Sequence, residues 1–205
     1  MAAEPQPAAA ALGDGSCTIR AFQPADLEQV HEVHELFANG MRDAHTEASA
    51  DMLELLEHYI ANGINDDLGA NMQAVFLGER CGFWVVIDER AESPTKGRII
   101  GTVGCQALDD AECELRRLSV HRGSRGLGLA TRLIGVVEAH ARAHGFRRVV
   151  LNTSMEMVPA QRLYEKAGYD EVKREHFPDE WMLQLTGRTR RSDDEGAVYY
   201  AKTVG

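Results

Sequence analysis

Arg122-Gly123-Ser124-Arg125-Gly126-Leu127-Gly128-Leu129-Ala130 is the stretch on which the fold turns. It follows a strand that reads from Glu112 to Val120 and leads into a segment of helical spacing, Gly126 to His144. Glycines at a strand-to-helix turn let backbone N–H groups face a ligand closely. The helix N-terminus adds roughly half a positive charge at the same spot. Arg122 and Arg125 supply further charge-assisted donors. Physically this is a cradle for a pyrophosphate.

The two common nucleotide-binding turns do not fit it. A GxGxxG fingerprint fails because Gly128 is followed by Leu129, Ala130 and Thr131. The acidic residue expected about 20 positions further on is replaced by Val149, Val150, Leu151 and Asn152. A phosphate loop of the GxxxxGK[ST] type fails because the turn holds no lysine.

Outward from the turn, the chain alternates helical and strand periodicities. Cys17 to Phe22 reads as a strand, and Pro24 opens a helix that reaches about Asn39. A second helix is expected from Ala48 to Ala61. Phe83 to Asp88, Arg98 to Gln106 and Glu112 to Val120 are strands joined by turns, hence antiparallel. Arg147 to Asn152 is a short strand of buried type, and Gly145 before it caps the helix. Pro159 to Ala167 is a helix; Tyr169 to Arg174 and Ala197 to Thr203 are final strands separated by a polar loop. The expectation is a mixed α/β domain, mostly antiparallel, with a parallel pair flanking the Gly126 helix because a helical crossover must join it. Residues 17–205 form that single domain, and 1–16, rich in Ala and Pro, a disordered tail.

Composition narrows the function. At 44% hydrophobic and 26% charged this is a soluble globular composition, without the roughly 18 consecutive apolar residues of a membrane span. The net charge of −10 argues against nucleic acid or an anionic membrane as partner. Locally the charge reverses: five arginines (Arg116, Arg117, Arg122, Arg125, Arg132) and no acidic residue lie between Leu115 and Val137. A positive island in an acidic chain suits a discrete anion. Cys17, Cys81, Cys105 and Cys113 make no CxxC pair and read as free thiols of a reducing compartment. With no signal or transit pattern, a cytoplasmic location is expected, the nucleus remaining open. A monomer or a homodimer is equally compatible with the sequence.

These residues resemble the GNAT superfamily of N-acetyltransferases. Arg125-Gly126-Leu127-Gly128-Leu129-Ala130 matches its [RQ]xxGx[GA] motif, and Glu114-Leu115-Arg116-Arg117-Leu118-Ser119-Val120 is similar to its central strand. Leu151-Asn152-Thr153 and Ala160-Gln161-Arg162-Leu163-Tyr164-Glu165-Lys166-Ala167-Gly168-Tyr169 are similar to its second motif. Together with Gly82-Phe83-Trp84-Val85 and Ile100-Gly101-Thr102-Val103-Gly104, the central strand also resembles the Camello branch. That branch commonly carries a membrane hairpin before the Phe-Trp-Val strand, whereas Leu53 to Val75 here is polar and interrupted.

The resemblance implies a GNAT-like fold whose fourth and fifth strands are parallel and splay apart. It implies acetyl-CoA as co-substrate and a primary amine as acceptor: a small amine, an amino-acid conjugate or a lysine side chain. Backbone groups at Leu118, Ser119 and Val120 would hold the pantetheine arm and acetyl carbonyl. Amides of Arg125, Gly126, Leu127, Gly128, Leu129, Ala130 and Thr131 would bind the pyrophosphate, and Asn152 would touch the cofactor at the splay. Tyr164 would protonate the departing thiolate. A non-catalytic acyl-CoA sensor would share the cradle.

Glu114 is the candidate general base. It precedes Leu118 by four residues and so shares a strand face with Arg116, Leu118 and Val120; a surface partner for an arginine is the competing role. His121 and an ordered water chain are alternatives. No metal is expected: His31, His34 and Glu35 read as charge on an exposed helical face rather than as ligands. Arg188 to Glu195 reads as a solvated loop that could also serve docking or regulation.

Overall fold

Strand β5 (Glu112–Val120) is the axis of the molecule, and every second residue along it is buried. The computed structural model describes residues 10–11, 15–34, 66–186 and 196–205. Within them, β5 lies in an eight-stranded sheet with β1 (Ala10–Ala11), β2 (Cys17–Ala21), β3 (Gly82–Asp88), β4 (Ile99–Ala107), β6 (Arg148–Ser154), β7 (Asp170–His176) and β8 (Gly196–Thr203). The order is β1-β2-β3-β4-β5-β6-β8-β7, so the last strand inserts between the two before it. All pairings are antiparallel except β5 with β6.

That parallel pairing is short. It joins Glu112 to Arg148, Cys113 to Val149 and Glu114 to Val150 and then stops. Beyond it β5 continues to Val120 and β6 to Ser154, so the two strands part and leave an opening in the sheet. The mixed sheet with a splayed parallel pair is the architecture expected from the sequence.

Helices cover the sheet on both faces. Helix α3 (Leu129–Ala143) turns Leu129, Leu133, Ile134, Val137 and Ala141 inward at helical spacing. With α4 (Val158–Lys166) it builds the larger core against Trp84, Val103, Leu115, Val149, Leu151 and Tyr200. On the opposite face, Val30 and Val33 of α1 (27–34), Leu68, and Met72 and Phe76 of α2 (Met72–Phe76) pack on Phe83, Val85 and Ile99. Each fully buried large side chain stabilises the fold by roughly 1.5–3 kcal/mol. Covered on both sides, β3 is buried almost throughout, which is why Gly82-Phe83-Trp84-Val85-Val86-Ile87-Asp88 shows little alternation.

Several boundaries differ from the sequence reading. α3 begins at Leu129, not Gly126, because Gly126 (φ +83°) and Gly128 (φ +71°) adopt left-handed conformations that keep the turn out of the helix. The polar segment between the final strands contains a helix, α5 (Asp179–Thr186), whose Met182 is fully buried. A helical turn at Asp66–Ala70 and helix α2 occupy a stretch read as helix breaker and connection. Ala10–Ala11, within the segment read as a tail, pairs with Thr18 and Ile19. The second helix expected at Ala48–Ala61, Glu35 and the 188–195 loop lie outside the described residues.

Candidate active site

The cradle is built by backbone. After β5, a short 3-10 turn (Arg122–Ser124) leads to Arg125-Gly126-Leu127-Gly128, all exposed, and then to the first turn of α3. A Cβ at Gly126 or Gly128 would meet no atom within 4 Å, so open space lies over both. The first turn of α3 holds no acidic residue, and its leading amides lack helical partners, so an anion fits there. The Arg125 amide is turned back to the Arg122 carbonyl at 3.3 Å, while its side chain reaches the Val120 carbonyl at 3.4 Å. Leu129 is buried; Ala130 is half-buried and Thr131 exposed.

A side-chain network fixes the turn from below. Arg90 Nη2 donates to Ser124 Oγ at 3.0 Å, and Arg90 is held by Asp88, which is fully buried. Ser93 and Thr95 hydroxyls also donate to Asp88. These donors hold the Asp88 carboxyl far below the usual carboxylate range. His121 takes a structural part as well: its Nδ1 accepts from the Gly123 amide at 3.2 Å.

On β5 itself, a β-bulge reorganises the faces. Thr102 pairs with Ser119 and Gly104 with Arg116, so Arg117 and Leu118 together oppose Val103. Arg117 takes φ +53°, a conformation uncommon outside glycine. The bulge inverts the alternation expected from the sequence. By register Glu114, Arg116 and Ser119 share one face, whereas Leu118 and Val120 pack against the α3 core on the other. Glu114 therefore does not share a face with Leu118 and Val120: the extra residue changes the parity between them.

Two interactions hold the bulge. Thr102 Oγ1 donates to the Arg117 carbonyl at 2.8 Å, and His34 Nε2 lies 3.0 Å from Thr102 Oγ1. Since the Thr102 hydrogen is committed to Arg117, His34 donates, and its imidazole is the Nε2–H tautomer. Burial, with Arg117 and His31 nearby, pushes the His34 pKa down to about 3. The second interaction is ionic: Asp67 accepts Arg117 Nε at 2.8 Å and Nη2 at 2.7 Å. The expectation of an exposed His31–His34 face is thus corrected. His34 is buried against Thr102, and His31 Nε2 bonds the Leu68 carbonyl at 2.8 Å.

Glu114 stands where β5 and β6 begin to part. Asn152 Nδ2 donates to its Oε1 at 3.0 Å, which joins two residues that the sequence had placed in separate roles. Arg116 Nε lies 3.9 Å from Glu114 Oε2, but its terminal nitrogens go to Asp67 (3.0 Å) and Gln106 (2.6 Å). Burial raises the Glu114 carboxyl above its usual range; Arg116, Arg117 and the Asn152 amide pull against that rise, while Asp67 adds to it. Glu114 and Asn152 line a concavity of about 360 Å³ with Leu108, Val172, Lys173 and Tyr199.

Tyr164 is on the other side. It is 7% exposed, in the core with Leu151, and its ring packs on Tyr169 (6.2 Å between centroids) and Tyr200 (5.9 Å). Gln161, one turn earlier, anchors α4 by donating to the Ser154 and Met155 carbonyls. The structure thus brings Glu114 to Asn152, and sets Tyr164 on the opposite face of the sheet. Sequence reasoning gave no role to Asp67 and Gln106, which carry no local motif, nor to Thr102, which it quoted only as part of the Camello resemblance.

Comparisons with known proteins agree with this geometry. Residues 32–169 match the model of the Acetyltransferase (GNAT) family. The probable N-acetyltransferase camello of Xenopus tropicalis is 34% identical over 108 residues, covering 52% of this chain and 46% of its own length. N-acetyltransferase 8 of Rattus norvegicus is 33% identical over 138 residues, 63% of this chain and 58% of its own. The chain thus aligns with about half the length of these curated relatives. A GNAT-family acetyltransferase structure from Staphylococcus aureus superposes with a TM-score of 0.63 at 19% identity, over 93% of this chain and all of that one. Among the described residues no helix is long and apolar enough to cross a membrane. By its family match, its splayed sheet and its glycine cradle, the chain belongs to the GNAT acetyltransferase family.

Proposed function

We propose that this protein transfers the acetyl group of acetyl-CoA to a primary amine by direct attack, with both substrates bound at once. The observation that carries the reading is the division of the site across the sheet. A half-buried carboxylate, Glu114, faces one side of the splay, and the glycine cradle and Tyr164 belong to the other. Acetyl-CoA supplies the activated acetyl group.

The amides from Gly126 to Thr131 hold the pyrophosphate, with Arg125 as an added donor. Backbone groups of Leu118, Ser119 and Val120, released from pairing with β6, orient the pantetheine arm and the acetyl carbonyl. Glu114 takes the proton that the amine loses; burial raises its basicity toward that task. Tyr164 gives a hydroxyl proton to the thiolate. Holding the two substrates in one opening supplies much of the acceleration, because it replaces a bimolecular encounter. Relatives whose names include N-acetyltransferase 8 and, in Danio rerio, N-acetylaspartate synthetase support an amine acceptor.

The test is to incubate the protein with acetyl-CoA and a panel of small amines, amino acids, amino-acid conjugates and lysine peptides while free thiol is monitored. Turnover with at least one amine is expected, and Glu114→Gln should lower kcat by about 100-fold or more. A cofactor-induced rise in melting temperature without turnover on any amine would instead favour an acyl-CoA sensor.

A further inference from the structure

Asp67 lies far upstream of β5 in sequence, yet it is 3% exposed and receives two consecutive arginines of that strand. In a regular strand Arg116 and Arg117 would point to opposite faces. The bulge, with Arg117 at φ +53°, turns both onto the Asp67 face. Asp67 then takes Arg116 Nη2 at 3.0 Å and Arg117 through Nε and Nη2, while Gln106 takes Arg116 Nη1 at 2.6 Å.

The consequence falls on Glu114. Among the described residues its nearest cation is Arg116, whose Nε stays at 3.9 Å while its terminal nitrogens bond Asp67 and Gln106. A carboxylate paired to a guanidinium is a poor base, because the pairing favours its charged form. We propose that Asp67 is a positioning residue for the transfer: by engaging Arg116 and Arg117 together, it leaves Glu114 available to take the proton of the amine. The proposal rests on Glu114 as the base.

Among the described residues, the groups facing Glu114 from the packed elements are few. They are Arg116 and Arg117 from β5, Asp67 from the 66–70 turn, the neutral Gln106 from β4 and Asn152 from β6, and Lys173 and Tyr199 across the concavity. Lys173 is engaged with Glu175 at 2.6 Å, and Arg148, at the base of β6, with Glu112 at 2.5 Å. Arg116 is therefore the cation that Asp67 controls. The direction of the Glu114 shift agrees, since Arg116 and Arg117 lower it and Asp67 raises it.

The experiment is the pH profile of kcat at saturating amine and acetyl-CoA on the full-length protein, which reports groups of the bound complex. Asp67→Asn should move the acid limb to lower pH by about 0.5–1 unit and lower the plateau, because Arg116 then closes on Glu114. Arg116→Gln should move the limb the opposite way, and the double variant should return it toward wild type. Acetyl-CoA affinity should stay within twofold throughout. Because Asp67→Asn also weakens the pairing of Arg117 and can unfold the protein, Arg116→Gln alone must show the upward shift. A limb in Arg116→Gln that coincides with wild type, or one in the double variant displaced as far as in either single variant, overturns the inference. If Glu114→Gln itself keeps wild-type turnover, the fault lies with the base assignment; if Glu114→Gln is inactive and the limbs do not move, only the role of Asp67 falls.

Discussion

Between Gly126 and Thr131 the anion cradle is one continuous run of backbone, whereas the face around Glu114 is assembled from side chains of α1, the 66–70 turn, β4, β5 and β6. The cradle needs only two left-handed glycines and a helix start, and tolerates exposure because amides keep their dipoles in water. The opposite face depends on burial and on long-range pairs. Asp67, Arg117, Thr102 and His34 are all buried there and satisfy one another. Local geometry thus builds the part of the site proposed to hold the anion, and tertiary geometry builds the part proposed to take the proton.

The sharpest way to break this contrast is at the cradle. Gly128→Glu places a carboxylate where the pyrophosphate is proposed to bind and forces a side chain into φ +71°, costing about 1–2 kcal/mol of fold stability besides. The melting-temperature rise expected of wild type with acetyl-CoA should vanish in the variant, a loss of about 2.7 kcal/mol at 100-fold saturation. Retention of that rise would mean that the anion binds elsewhere.

A smaller effect is expected from Tyr164→Phe. Turnover should fall by about 10- to 100-fold while cofactor affinity changes less than twofold. Rapid-mixing measurement of thiol release separates the two. Unchanged release would reduce Tyr164 to a packing residue between Tyr169 and Tyr200.

A third test concerns the buried network beside Arg117. His34 is neutral in the fold with a pKa near 3, against about 6.5 when unfolded. Its contribution is fully present above about pH 6.5 and is lost as pH falls from there toward 3, at roughly 1.4 kcal/mol per pH unit from this group. Denaturation midpoints measured between pH 7 and 4.5 should fall less steeply in His34→Gln than in wild type. Parallel curves would remove His34 from the acid response.

What could be read in advance follows the same division. The strands from Phe83 to Val120, the crossover helix and the parallel pair were legible because each is written in local periodicity and turn chemistry. The start of α3 was misplaced because a glycine-rich turn and the first helical turn look alike until φ is known. Helix α5 was hidden in a polar segment, although Pro178, Asp179 and Glu180 carry the signals of a helix start. The bulge was invisible, since nothing in Arg116-Arg117-Leu118 announces an extra residue opposite Val103. That one residue decides which side chains share the face of Glu114.

By itself the sequence determined the mixed sheet, the glycine cradle and the family, because these depend on residues close together in the chain. Only the tertiary structure decided the surroundings of Glu114. Its neighbours Asp67, Gln106 and Asn152 come from three other segments, and a register shift in one strand orients them. The strength of a base depends on the charges within a few ångströms, and that proximity is set by folding rather than by order along the chain.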